Sequence, residues 1–292
     1  MKIKTECVPC LLKRIIFEAE QSTTDKKKQK EAICIACNIL SQEYDPDGCS
    51  ATIATKVHKA VYKALSDNDP YKDLKEKSNK IALTLVEKVN ELIKESSDPL
   101  KTSMLCSIVG NILDFGIEGA SENPELFFEI FDKIYLQGLG YDDTDKIKNI
   151  LVKSKTIILF TDNCGEIVFD KILCRELKKF NPKLNITLVV KGEPVLSDAT
   201  AEDAHDLSFL DVVDEILTTN CFAVGVDFSK LSKKLSDKLN KTDLIICKGM
   251  ANYESFSETD YHPIVYLLRT KCNAIASSMG LKQDINAIKL YD

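Results

Sequence analysis

The chain has no tryptophan, and only three histidines and four methionines among its 292 residues. The missing tryptophan decides nothing about function. The lack of long apolar runs decides more. None approaches the ~20 residues that a bilayer-spanning helix requires. The opening MKIKTECVPC also lacks the apolar core of a secretion signal, so the sequence predicts a cytoplasmic protein with no membrane partner. Basic residues are outnumbered, 39 Lys and Arg against 45 Asp and Glu, for a net charge of −6. A general nucleic-acid binder would carry a basic face, so no nucleic-acid partner is expected. There is no internal repeat and no low-complexity segment.

What is present is ordinary globular composition, 44% hydrophobic and 29% charged, and enough length for two domains. Eleven cysteines, an odd number without a secretion signal, argue for thiols or a metal site over a disulfide framework. Up to about residue 135 the chain reads as successive helices: Cys10 to Ala19, Lys26 to Leu40, Ala51 to Leu65, one long helix from Tyr71 to Lys94, a buried one from Thr102 to Ile117, and another opened by Asn123-Pro124. Strand-like and helical runs then alternate. Strands are predicted at Thr156 to Thr161, Asn185 to Lys191, Val212 to Thr218 and Asp243 to Cys247. Helices are predicted at Glu166 to Lys179, Thr200 to Leu207 and Phe228 to Leu239. Ile264 to Leu268 and Asn273 to Ala276 are ambiguous. This order predicts an α/β protein, with an all-helical domain over 1–150 and a mostly parallel sheet covered by helices over 151–292.

The chain is organised around TIILFTDNCGEIVFD, Thr156 to Asp170. An apolar run gives way at once to Asp162 and Asn163, then Gly165 and an amphipathic helix. Ligands bind at this rim of open α/β sheets. Carboxylate and amide oxygens suit a hard divalent cation, and Gly165 leaves helix amides open to an anion such as phosphate. The plainer alternative is that both residues only end a strand and cap a helix. Two other strand ends deliver Asp198, which could instead cap a helix at 200, and Lys248, which could be a solvated charge, with Asn252 soon after. Converging in one cleft, they suit metal-assisted phosphoryl transfer, with lysine as a point charge for phosphate.

TDNCGEIVFD, SDATAEDA and KGMANYES resemble, in that order, the signatures of the DUF89 family, the damage-control phosphatases. CVPCLLKR, DPYKDLKEKSN, GNILDFG and the late RTKC extend the resemblance over nearly the whole chain, and the CxxC points to the archaeal and bacterial subgroup. The resemblance implies a helical domain and a Rossmann-like αβα domain. It also implies a metal-dependent phosphatase acting on phosphorylated metabolites, including sugar phosphates and phosphopantetheine derivatives. By the same resemblance, Asp162, Asn163 and Asp198 would ligate the metal, taken as Mg, Mn, Co or Ni. Lys248 would bind the substrate phosphate, with Asn252 nearby. Asn111 and Asp114 would reach into the cleft, and Glu166 lies in the first motif without a firm role.

The attacking group is either a metal-bound water, the favoured choice, or an aspartate carboxylate. None of His58, His205 and His262 recommends itself as a general base. Cys7 and Cys10 are a possible second metal site. Cys34 and Cys37, inside EAICIACNIL, are read as core residues. Two other functions remain open. An S-adenosylmethionine-dependent methyltransferase would suit the Rossmann-like half, but the first strand lacks a glycine-rich GxGxxG turn. A zinc-stabilised interaction module would bring Cys7, Cys10, Cys34 and Cys37 together.

Overall fold

The computed structural model describes residues 1–113 and 124–292. Among these residues seven helices precede the first strand: α1 (Cys7–Ser22), α2 (Lys26–Glu43), α3 (Ser50–Leu65), α4 (Lys72–Thr84), α5 (Val86–Glu95), α6 (Pro99–Val109) and α7 (Pro124–Leu136). The first three form a small core of their own from Ile15 and Ala19 on α1, Ala32, Ala36 and Leu40 on α2, and Val57, Val61 and Leu65 on α3. Those residues recur every fourth position, the stripe a helix must bury. Cys34 and Cys37 fall off that stripe and are exposed, which corrects the expectation that they are core.

The expected single helix from Tyr71 to Lys94 is two. Leu85 closes a tightened turn, its N–H donating to Ala82 O at 3.0 Å, and the helix restarts at Val86. The buried pattern runs on through Ile81, Leu85, Val89 and Ile93, so periodicity does not betray the break. Helix α6 starts at Pro99, where the Asp98 side chain accepts from Lys101 N–H. It ends at Val109, and a short 3-10 turn follows over Gly110–Leu113.

The sheet has seven strands: β1 (Leu139–Asp142), β2 (Thr156–Phe160), β3 (Asn185–Val190), β4 (Glu215–Thr218), β5 (Leu244–Lys248), β6 (Ile264–Arg269) and β7 (Asn286–Tyr291). Their order is β1-β7-β6-β5-β2-β3-β4, parallel except for β6 against β7. Its first strand lies before residue 150, and both ambiguous segments resolve, 264 onward as β6 and Asn273–Met279 as a helix. Side chains alternate between two cores. Ile157 and Leu159 face α6, α8 (Thr144–Leu151), α9 (Glu166–Phe180) and α10 (Ala201–Asp206). Ile158 and Phe160 face α11 (Lys233–Leu239), α12 (Gly249–Phe256) and α13 (Asn273–Met279). The chain runs from β2 to β3 and β4 on one side, then returns to β5 and β6 on the other. The carboxyl ends of β2 and β5 therefore flank the switch point, where such sheets bind ligands. No helix among the described residues is long and apolar enough to cross a membrane.

Candidate active site

Asp162 and Asn163 follow β2, and the loop carrying Asp198 is tied to them. Ala199 N–H donates to Asp162 O and Cys164 N–H to Ser197 O, each at 2.8 Å, and Asn163 and Asp198 form an isolated antiparallel bridge. The side chains continue the lacing. Ser197 Oγ donates to Asn163 Oδ1 at 2.6 Å, and Asp162 Oδ2 accepts from Asn163 Nδ2 at 2.7 Å and from Asn111 Nδ2 at 2.8 Å. Lys191 Nζ lies 3.1 Å from Asp198 Oδ2. Gly249, the first residue of α12, has φ +71°, and a Cβ built there would overlap the Asp162 carboxylate. Only glycine permits both the backbone angle and that approach.

Asn111, Asp162, Asn163 and Asp198 border a cavity of about 540 Å³, and Lys271 lines it with them. Lys271 Nζ donates to Asn111 O at 2.7 Å, which fixes a cation on the wall beside the carboxylates.

Lys248, expected to meet the substrate phosphate, lies behind this wall. It is completely buried, and its ammonium donates to Ser107 O at 3.1 Å and pairs with Glu166 and Asp170, the latter at 3.3 Å. Burial works against its charge, but the Asp170 and Glu166 carboxylates outweigh that and raise its pKa. Asp170 moves up to about 6, chiefly through burial and also through the neighbouring Glu166 charge. Glu166 is also buried and accepts from Asn111 Nδ2, so Asn111 bridges Glu166 to Asp162. Asn252 is buried too, its Nδ2 donating to Thr161 O at 2.9 Å and Lys248 O at 2.8 Å, which joins the ends of β2 and β5. Asp114 lies outside the described residues. The Gly165 amide is not open to an anion: it donates to Asn79 Oδ1 at 2.6 Å, and Asn79 is held in turn by Asp203.

Sequence reasoning missed four contributors. Lys271 sat in the RTKC segment without a role. Gly249 stood beside Lys248, which drew the attention. Lys191 ends the second predicted strand. His58, passed over as one helical residue among many, is a wall of the cavity. His205 and His262 are exposed. Cys7 and Cys10 line the cavity with Cys272, whereas Cys34 and Cys37 are exposed on α2. Among the described residues no three His, Cys, Asp or Glu side chains gather to hold an ion, so the four-cysteine zinc module has no support.

The model of the damage-control phosphatase ARMT1-like domain matches residues 3–286. The chain belongs to the damage-control phosphatase family. A damage-control phosphatase of Archaeoglobus fulgidus is 37% identical over 281 residues, 96% of each chain. One from Pyrococcus horikoshii is 29% identical over 280 residues, 96% of this chain and 94% of that one. The crystal structure of a DUF89 family protein from Pyrococcus horikoshii superposes with a TM-score of 0.90 at 26% identity, each chain covered in full. Membership makes this chain a metal-dependent phosphatase. Two carboxylates and an amide oxygen, all hard donors, stand at the edge of the cavity, a chemistry that fits a divalent cation.

Proposed function

We propose that this damage-control phosphatase hydrolyses phosphate monoesters of small metabolites, with a divalent cation held by Asp162, Asn163 and Asp198. The observation that carries the reading is the meeting of those three side chains at one cavity, with Lys271 on its wall. The donors suit Mg or Mn, and Co or Ni accept the same set. Bound there, the ion would polarise phosphoryl oxygens and lower the pKa of a water.

The chain's own groups supply the rest. Lys271 offers a point charge to the phosphate. Asn111 and Asn163 fix the Asp162 carboxylate by two N–H donors. Donation to Asp162 makes it a better holder than nucleophile, which favours water as the attacking group. Lys191 offsets the charge of Asp198. Leu11, Leu196, Val224, Met250 and Ile275 give the cavity an apolar side. An extended, partly apolar arm such as that of a phosphopantetheine derivative suits this wall better than a sugar, whose hydroxyls would be left unpaired against it. A second, soft ion at Cys7 and Cys10 would need thiolates, and burial raises the Cys7 pKa.

The test is release of p-nitrophenol from p-nitrophenyl phosphate by metal-stripped protein, with Mg, Mn, Co and Ni restored singly and Asp162→Ala alongside. Metal-dependent release that disappears in the variant is expected. Equal release by the variant removes Asp162 from the site, and release that ignores added metal removes the cation.

A further inference from the structure

In the reading above the groups gathered around Asp162 hold a cation and a phosphate, and the oxygen that leaves still needs a proton. An alkoxide is a poor leaving group unless protonated as the P–O bond breaks. The same cavity is lined by a group of that kind. His58 is the only histidine among the described residues that line it.

The placement of His58 is built from two helices. It sits on α3, and its Nδ1 is 3.0 Å from Oε2 and 2.8 Å from Oε1 of Glu18 on α1. Glu18 is completely buried and has Tyr71 Oη as a second neighbour at 3.4 Å. A buried carboxylate facing one ring nitrogen fixes the orientation of the imidazole. His58 is itself buried at the edge of the cavity, and with Nδ1 turned to Glu18 its second ring nitrogen is Nε2.

The same face of α3 is fastened to the active-site loops. Ala54, His58 and Tyr62 stand four residues apart on one stripe. Ala54 and His58 line the cavity, and Tyr62 Oη accepts from Leu196 N–H at 3.1 Å, two residues before Asp198. Thr55 Oγ1 accepts from Val224 N–H at 2.9 Å. A histidine serving only to bridge α1 and α3 would have no need to border the cavity, nor would its helix need to be tied to the Asp198 loop.

We propose that His58, oriented by Glu18, is the general acid of the phosphatase. The inference rests on the phosphatase reading above. As the attacking water oxygen bonds to phosphorus, the ester P–O bond breaks and its electron pair passes to the leaving oxygen. The Nε2 proton of His58 moves to that oxygen, which departs as the alcohol. The proton lost by the attacking water then restores the imidazolium, so the enzyme is unchanged and water has been added across the ester.

The test compares p-nitrophenyl phosphate, whose leaving group needs no proton, with phenyl and p-methoxyphenyl phosphate, whose leaving groups are more basic but similar in size. The wild-type protein is expected to show little dependence of kcat/KM on the leaving group. His58→Gln is expected to lose about 100-fold or more on the basic esters and less than about 10-fold on p-nitrophenyl phosphate. Glu18→Gln should show the same pattern more weakly. Equal losses on all esters, or none, overturn the proposal. If His58→Gln does not fold, the wild-type series still decides, because a steep fall with leaving-group basicity is incompatible with a general acid. Absence of release from every ester by the wild-type protein would instead sink the phosphatase reading itself.

Discussion

The Asp162 carboxylate occupies the space that a side chain on residue 249 would need, and Gly249 is what makes room for it. The contact joins the end of β2 to the start of α12 across the switch point of the sheet. A methyl group there would push the carboxylate off its position beside Asn111 and Asn163. Gly249→Ala is therefore expected to lower kcat/KM by about 100-fold, the usual scale for a displacement near 1 Å. The melting temperature should fall by only a few degrees, since αL strain costs about 1–2 kcal/mol. Steady-state kinetics with calorimetry checks both, and unimpaired kinetics would mean that the position of Asp162 does not matter to the reaction.

Among the described residues Lys248 is the cation paired with two buried carboxylates, Glu166 and Asp170. Lys248→Met keeps much of the volume and removes the charge, leaving both acids uncompensated. Breaking a buried pair in this way costs about 3–5 kcal/mol. Urea denaturation should show that loss. A variant that keeps its stability and fails only in kinetics would return Lys248 to direct contact with substrate.

Asp170 gives a pH signature. Its carboxyl is pushed up to about 6 by burial, with Glu166 adding to the effect, and its Oδ2 has no hydrogen-bond partner among the described residues. An unfolded aspartate titrates near 3.9. Between those two values the folded protein holds more protons than the unfolded chain, so stability falls as pH rises from about 4 to about 6. The expected contribution is about 1–3 kcal/mol. Asp170→Asn should flatten the slope in that window, measured by urea midpoints at half-unit pH steps. An unchanged slope would assign it to other groups.

The strands around Asp162 were legible because each is a short apolar run closed by turn chemistry, as in Thr156–Phe160 and Leu244–Lys248. Strand β7 was not, because Asn286–Tyr291 alternates weakly and is held between its sequence neighbour β6, antiparallel, and the distant β1, parallel. Within the candidate site, Asp162, Asn163 and Asp198 announce themselves by type and position after a strand. Whether a lysine faces substrate or core depends on tertiary packing, which no local pattern encodes. Lys248 and Lys271 differ in that alone. His58 was opaque for the same reason: its partner Glu18 lies 40 residues away, and the Asp198 loop, tied to Tyr62 on the same helix, lies 140 residues from His58, by count along the chain.

Helix α6 belongs to two interiors at once. Leu100, Met104 and Ile108 enter the sheet core, while Cys106 and Val109 enter the core built by α4, α5 and α7. A chain cut near residue 150 would strip one face of the sheet of its cover and leave the helical fragment with a bare apolar stripe. The two halves are then expected to melt together as one cooperative unit, and neither should be recoverable as a folded fragment.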